Sequence, residues 1–120
     1  MKGTILVVDD TASMREIVNL TLAEAGYNVL LATDGNDALS KLDGRSIDLI
    51  ITDLNMPNMD GIELIKQIRS SEGYSFAPIL LFSTESSESK KKALDAGATG
   101  MLEKPIVKEQ MLKSVRRIVR

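Results

Sequence analysis

The sequence contains no cysteine, no histidine and no tryptophan, and each absence removes a class of chemistry. Without cysteine the chain has no disulfide and no thiolate metal site. Without histidine it has no imidazole ligand and no imidazole base, and it cannot carry a phosphohistidine. Any chemistry must therefore come from carboxylates, hydroxyls, amides, lysine or arginine.

Long apolar runs and an excess of basic charge are also missing. No apolar stretch reaches the roughly 18 residues that a membrane span requires, and the N-terminus lacks the apolar segment of a signal peptide. Acidic residues number 17 against 15 basic residues, so the net charge is −2. These features predict a cytoplasmic protein that binds neither membrane nor nucleic acid. The basic stretches at 90–92 and 116–120 are interpreted as solvated helix faces or a protein-docking surface.

Short apolar runs alternate with helical patterns five times along the 120 residues. The predicted strands span residues 5–8, 29–32, 48–52 and 78–82, and a short fifth strand begins at Met101-Leu102 and ends at Glu103-Lys104-Pro105. Helical spacing gives the first helix an apolar face of Met14, Ile17, Val18, Thr21, Leu22 and Ala25. Later helices carry Ala38, Leu39 and Leu42, then Gly61, Leu64, Ile65 and Ile68, and finally Met111, Val115, Ile118 and Val119. Strands that are apolar throughout predict a parallel sheet with helices on both faces.

Two helix starts and one polar segment complete this pattern. Asp34 and Asp60 stand just before helical runs and are predicted N-caps. The segment 86–95 is polar, includes three consecutive lysines and shows little apolar periodicity. It is predicted to be a helix with few buried contacts and low local stability.

Charged side chains follow several of the predicted strands. Asp9 and Asp10 follow the first strand, Asp53 follows the third, and Lys104 follows the fifth. In a parallel sheet the carboxyl ends of the strands share one edge, where ligands bind. Carboxylates that lie close together raise each other's pKa unless a positive charge separates them. A hard cation bound through oxygen, Mg²⁺ or alternatively Mn²⁺, is therefore predicted among the three aspartates.

A lysine and two hydroxyls are predicted at the same edge. Lys104 precedes Pro105, which favours an extended backbone, so its ammonium group can reach Asp53 or a phosphoryl oxygen. Ser83 and Thr84 follow the fourth strand, and either hydroxyl can donate a hydrogen bond to a phosphoryl oxygen. The alternative interpretation is that the aspartates serve only as helix caps and turn formers.

These residues belong to a set of motifs that spans the whole chain. The set comprises Ile5-Leu6-Val7-Val8-Asp9-Asp10, Asp53-Leu54-Asn55-Met56-Pro57-Asn58-Met59-Asp60-Gly61, Ser83, Ala96-Gly97-Ala98 and Lys104-Pro105. In these motifs the sequence resembles the receiver domain of bacterial response regulators, particularly the stand-alone chemotaxis type. The resemblance implies a flavodoxin-like α/β fold whose five parallel strands have the order 2-1-3-4-5. It also implies a single receiver domain over residues 1–120 without an output domain.

The resemblance implies a role for each matching residue of the acidic site. Asp53 is the expected phosphoacceptor, and Asp9 and Asp10 are expected to bind Mg²⁺ with it, directly or through water. The backbone carbonyl of Asn55 is an expected further ligand of the cation. Lys104 is expected to contact the phosphoryl group.

The resemblance also implies how the phosphoryl state is controlled. Ser83 takes the place of the family's switch hydroxyl, and Thr84 is the adjacent alternative. The side chains at Asn55 and Glu85 are expected to tune hydrolysis, and this combination implies a short-lived phosphoryl group. The peptide bond between Lys104 and Pro105 is expected to be cis.

The expected function is a phosphorelay step. A histidine kinase would donate the phosphoryl group, and the surface of the fourth helix, fifth strand and fifth helix would then bind a downstream protein. The protein is expected to be a monomer and not a turnover enzyme. Met101 stands where the family usually has a switch aromatic, and Thr11 stands where the flagellar type often has Phe. Both departures argue against a flagellar motor as the partner.

Three other functions are compatible with parts of this pattern. An Asp-nucleophile phosphatase would share the acids, the cation and the lysine, but it would need an acid two residues after the nucleophile, where Asn55 stands. A flavin-binding domain would need stacking aromatics, and the chain has only two Tyr and two Phe. A phosphorylation-independent interaction module or a phosphate sink of the same fold is the remaining alternative.

Overall fold

The computed structural model describes residues 3–84 and 87–119. Along these ranges the strands are β1 (Thr4–Val8), β2 (Asn28–Ala32), β3 (Leu49–Asp53), β4 (Ile79–Ser83) and β5 (Gly100–Glu103). The helices are α1 (Ala12–Glu24), α2 (Gly35–Ser40), α3 (Gly61–Arg69), α4 (Ser87–Ala96) and α5 (Lys108–Ile118). Within the described ranges, no helix combines the length and the apolar character needed to cross a membrane.

The five strands form one parallel sheet in the order β2-β1-β3-β4-β5. β1 is an interior strand: its residue Val8 pairs with Ala32 of β2 on one side and with Thr52 of β3 on the other. Successive side chains of a strand point to opposite faces, so Leu6 packs in one core and Ile5 in the other. The predicted sheet order and the two covered faces are confirmed.

Each face of the sheet carries its own set of helices. One core contains Ala38 of α2, Leu64, Ile65 and Ile68 of α3, and Ala93 of α4. The other core contains Val18 and Leu22 of α1 with Met111 and Val115 of α5. Each large aliphatic side chain stabilises the fold by about 1.5–3 kcal/mol when it is fully buried. The two cores hold the sheet rigid, which fixes the positions of the loops at its carboxyl edge.

Two strands end one residue later than the sequence predicts. β3 includes Asp53 and β4 includes Ser83. Asp53 pairs with Phe82 of β4, and Ser83 pairs with Glu103 of β5. The ladder continues because backbone pairing does not depend on whether a side chain is polar. As a result, the sheet itself positions both polar side chains.

Ile17 is exposed, and three other residues assigned to apolar helix faces lie just beyond the ends of their helices: Ala25, Leu42 and Val119. Ile17 is 44% exposed, because the buried face of α1 centres on Val18 and Leu22 and each helical residue turns the chain by about 100°. Leu42 lies beyond α2, which ends at Ser40, although its side chain still packs against the core. The helical pattern identified these helices correctly but not the limits of their buried faces.

The polar segment 86–95 forms α4 from Ser87 onward, and Ser86 lies outside the described residues. Ala93 is fully buried and anchors the helix to the core beside α3. On the exposed side, Lys90 Nζ lies 2.9 Å from Glu103 Oε1, which links α4 to the end of β5. The prediction of a helix is confirmed here.

Candidate functional site

Three acidic side chains converge at the carboxyl edge of the sheet. Asp9, Asp10 and Asp53 each offer a carboxylate oxygen, and these oxygens all lie within 4.8 Å of one another. Because β1 and β3 are neighbours, the residues that follow Val8 come close to the end of β3. Asp9 and Asp53 are buried and Asp10 is exposed, so the cluster opens toward solvent on one side.

The backbone and the carboxylate of Asp9 are both held by hydrogen bonds. Its N–H donates to Ala32 O at 3.2 Å, and its Oδ1 accepts from Thr11 N at 2.8 Å. Its carbonyl oxygen accepts from Arg15 Nη1 at 2.7 Å. The sequence reasoning missed Arg15. The available signal was a basic residue near the start of a helix, where the helix dipole does not favour a cation.

The electrostatics of Asp9 are those of an acid without sufficient positive charge nearby. Burial raises the pKa of the Asp9 carboxyl above its ordinary value, and the charges of Asp53 and Asp10 raise it further. The Thr11 N–H and the Lys104 ammonium group lower this pKa without cancelling the increase. A carboxylate in this position is therefore stabilised by any additional cation.

Asp53 is held by two donors on one of its oxygens. Oδ1 accepts from Leu54 N at 2.9 Å and lies 2.8 Å from Lys104 Nζ. Lys104 follows β5 directly, and its own N–H donates to Ser83 O at the end of β4, at 3.1 Å. The predicted reach of this lysine to Asp53 is present, and the peptide bond between Lys104 and Pro105 is cis, as expected.

The loop after β3 turns tightly over Asp53. Gly61 N donates to Leu54 O at 2.7 Å, and Asp60 Oδ1 caps α3 by accepting from Glu63 N at 2.8 Å. A Cβ on Gly61 would collide with the carbonyl oxygen of Asp53, so only glycine permits this close approach. The loop also contains Asn55, which is exposed.

The remaining predicted residues differ in their positions. Ser83 is buried at the end of β4, and Thr84 is exposed; with Glu103 and Lys104 they line a cleft of about 140 Å³. Met101 is half-buried and packs against the core that includes α3 and α4. Glu85 lies outside the described residues.

The donor set fits a hard divalent cation. Among the described residues, three carboxylates face the Lys104 ammonium group and the nearby Arg15 guanidinium group, so negative charge remains in excess. Carboxylate oxygens are ligands that suit Mg²⁺ and Mn²⁺. The cluster can hold such an ion beside Asp53 while the Lys104 ammonium group lies against the same carboxylate.

Known proteins are similar to this chain in both sequence and fold. The model of the response regulator receiver domain matches residues 5–116. The response regulator MprA of Mycolicibacterium vanbaalenii is 39% identical over 121 residues, which cover 100% of this chain and 52% of that protein. The chain thus spans about half the length of the curated relatives it matches.

Two solved structures match nearly the entire chain. The chemotaxis protein CheY4 of Vibrio cholerae superposes with a TM-score of 0.94 at 43% identity, covering 99% of this chain and 100% of that one. The receiver domain of the sensor histidine kinase PA1611 of Pseudomonas aeruginosa superposes with a TM-score of 0.89 at 25% identity, and 98% of each chain is covered. That structure has a magnesium ion coordinated in its active-site cleft. The family match, the sheet order and the acidic cluster agree, and the chain belongs to the response regulator receiver domains of two-component systems.

Proposed function

We propose that this chain is a Mg²⁺-dependent phosphoacceptor, in which Asp53 receives a phosphoryl group from the phosphohistidine of a kinase. The observation that carries this proposal is the environment of Asp53. Its buried carboxylate has oxygens of two further acids within 4.8 Å and lies 2.8 Å from the Lys104 ammonium group. Receiver domains are signalling modules that accept phosphoryl groups from histidine kinases, and this geometry suits that role.

The transfer follows from the state of the Asp53 oxygens. Oδ1 already accepts hydrogen bonds from Leu54 and Lys104, so Oδ2 is the oxygen suited to attack phosphorus. The new bond joins this oxygen to phosphorus, and the bond from phosphorus to the imidazole nitrogen of the kinase breaks in line with it. The leaving imidazole keeps the electron pair. A bound Mg²⁺ would offset the charge of the phosphoryl oxygens.

Lys104 and the hydroxyls act after the transfer. Once Asp53 is an acyl phosphate, the Lys104 ammonium group contacts a phosphoryl oxygen, because negative charge has moved there from the carboxylate. Ser83 or Thr84 then donates a hydrogen bond to another phosphoryl oxygen. Asn55 and Glu85 tune the attack of water that returns the domain to its resting state.

The output is a change of partner affinity. Lys104 follows Glu103 directly in the chain, and Glu103 forms an ion pair with Lys90 on α4. A shift of Lys104 toward the phosphoryl group would therefore alter the surface of α4, β5 and α5, where a downstream protein binds. A chemotaxis-type partner and a cytoplasmic monomer stay predictions.

Intact-mass spectrometry after incubation with acetyl phosphate and Mg²⁺ tests the proposal. We expect one added phosphoryl group in the wild type and none in Asp53→Asn. The control Asp43→Asn removes an exposed acid far from the site and should be labelled like the wild type. Labelling that persists in Asp53→Asn, or that is equally fast in EDTA, would contradict the proposal.

A binding experiment separates a switch from the phosphorylation-independent alternative. Beryllofluoride with Mg²⁺ imitates an acyl phosphate on the acceptor aspartate. We expect partner capture from a lysate to depend on beryllofluoride in the wild type and to be independent of it in Asp53→Asn. The same set of captured proteins with and without beryllofluoride in the wild type would favour an interaction module that needs no phosphorylation.

A further inference from the structure

We propose that Arg15 is a positioning residue for the cation site, a role that rests on the proposed Mg²⁺ binding. Arg15 touches none of the reacting atoms. Its guanidinium group folds back along α1, and Nη1 donates to the carbonyl oxygen of Asp9 at 2.7 Å. The bond joins residues six positions apart and is partly shielded from solvent. A single side chain thus connects the first helix to the turn that presents two of the three acids.

The hydrogen bond to the carbonyl of Asp9 is the contact of this turn that a substitution can remove. The N–H of Asp9 is held by Ala32 O, and its Oδ1 is held by Thr11 N. Both of these bonds use backbone atoms of the partner. Among the described residues, the bond from Arg15 is the hydrogen bond to Asp9 that comes from a side chain, so a substitution can remove it without changing an acid.

That carbonyl belongs to the peptide unit that links Asp9 to Asp10. Because a peptide unit is planar, fixing the direction of its carbonyl also fixes the direction of the N–H of Asp10. The two carboxylates are thereby held in one relative orientation. Losing the bond frees this peptide unit to rotate, and the two acids then leave the geometry that places their oxygens within 4.8 Å of Asp53.

The helix itself gives no reason for a cation at this place. Arg15 N donates to Thr11 O at 3.0 Å, so Arg15 closes the first turn of α1, where the helix dipole favours acids over bases. The first turn contains no acidic residue, and Thr11 makes no capping bond with its side chain. The position of Arg15 is therefore explained by its contact with Asp9 rather than by the stability of α1.

Charge and position predict opposite effects of removing Arg15. If Arg15 acted only through its charge, its removal would make the site more negative and would strengthen the binding of Mg²⁺. If Arg15 positions the acids, its removal weakens binding even though the charge effect opposes this. Partners that orient metal ligands typically change metal affinity by at least about tenfold.

The test is a titration of the metal-free protein with MgCl₂ at constant ionic strength, followed by amide NMR spectra. For Arg15→Met we expect a dissociation constant about tenfold higher than that of the wild type. Arg15→Lys retains a donor that can reach the carbonyl, and we expect it to recover most of the affinity. The control Arg45→Met removes an exposed arginine at the opposite edge of the sheet and should bind Mg²⁺ like the wild type.

A second readout follows the turn directly. Hydrogen exchange of the Thr11 amide, which donates to Asp9 Oδ1, should accelerate in Arg15→Met and stay unchanged in Arg45→Met. If Arg15→Met loses its dispersed spectrum, Arg15→Leu, which also lacks a donor, takes its place in both measurements.

The outcomes separate this inference from the proposed function. Equal or tighter Mg²⁺ binding in the folded Arg15 variant, with normal binding in the wild type, overturns the positioning role alone. An absence of saturable Mg²⁺ binding in the wild type overturns both the positioning role and the proposed cation site.

Discussion

Charged residues have different environments at the two edges of the sheet, the amino edge where the strands begin and the carboxyl edge where they end. At the amino edge, Arg45 donates from Nε and Nη2 to the two oxygens of Asp43, at 2.8 and 2.7 Å, and its guanidinium group lowers the pKa of Asp43 to about 2. At the carboxyl edge, burial and neighbouring acids raise the pKa of Asp9. One edge satisfies its acid with a cation of its own chain, whereas the other keeps an excess of acid that an external cation can satisfy.

Other polar groups at the amino edge also have hydrogen-bond partners within the chain. Tyr74 Oη donates to Arg45 O at 2.7 Å and accepts from Gly44 N at 3.0 Å. Asp48 Oδ2 accepts from Thr4 N at 2.8 Å. The comparison indicates that the sheet is stabilised at one edge and left electrostatically incomplete at the edge where the chemistry is proposed.

The largest expected effect on the free energy of unfolding comes from removing the hydrogen bonds of Arg69 at the amino edge. Its guanidinium group donates to Gly97 O at 2.7 and 3.2 Å, to Ala77 O at 2.7 Å and to Ser75 O at 3.2 Å. Arg69→Met leaves these three carbonyls without their donor, so we expect the free energy of unfolding in urea to fall by about 2–3 kcal/mol. Mg²⁺ affinity of the folded variant should stay unchanged, and a large loss of affinity would contradict the separation of the two edges.

The next largest effect on the free energy of unfolding comes from Mg²⁺ binding at the carboxyl edge. Mg²⁺ at ten times its dissociation constant should raise the free energy of unfolding of the wild type by about 1.4 kcal/mol. Asp10→Asn removes an exposed ligand with little effect on packing, so this gain should be lost. Asp43→Asn is the matched control and should keep the gain. Equal stabilisation of Asp10→Asn and the wild type would show that the cation binds elsewhere.

Relieving the excess acid should stabilise the metal-free protein by a smaller amount. Asp9→Asn keeps an oxygen that can accept from Thr11 N but removes a buried charge, so at pH 7 we expect the free energy of unfolding to increase. Because the pKa of Asp9 is raised in the fold, the wild type benefits from protonation below 3.8 and loses this benefit as the pH rises through the folded pKa. In urea titrations without metal, the difference in the free energy of unfolding between Asp9→Asn and the wild type should therefore grow as the pH rises. An advantage that shrinks as the pH rises would contradict the cause given for the shift.

The smallest expected effect concerns the exposed ion pair between Lys90 and Glu103. Their side chains are 38% and 75% exposed, so water and salt screen the attraction. A double-mutant cycle with Lys90→Met and Glu103→Gln should give a coupling in unfolding that cannot be distinguished from zero. A clear coupling would mean that α4 is fastened to β5 more strongly than its exposure implies.

Much of the fold and the acidic cluster could be predicted because both depend on local sequence patterns. Apolar runs identify the strands, and parallel strands bring the residues at their carboxyl ends to one edge. For that reason Asp9, Asp10 and Asp53 were grouped correctly, and the reach of Lys104 to Asp53 followed from its place after β5.

The missed features depend on long side chains and on small rotations. Arg15 folds back across six residues to Asp9. Arg69 donates to carbonyls in two separate loops, the one between α3 and β4 and the one between α4 and β5. No short-range pattern encodes such contacts, because a flexible arginine can reach many acceptors from one position. Ile17 was misassigned because a helical face has gradual limits, and a residue at its margin is as apolar in sequence as one at its centre.

The most direct test of the central claim is to identify the residue that carries the phosphoryl group. The protein is incubated with acetyl phosphate and Mg²⁺, the acyl phosphate is reduced with borohydride, and the reduced residue is located by peptide mass spectrometry. The account predicts reduction at Asp53 alone, dependent on Mg²⁺. Reduction at Asp9 or Asp10, or a stable phosphate on a hydroxyl such as Ser83, would contradict it.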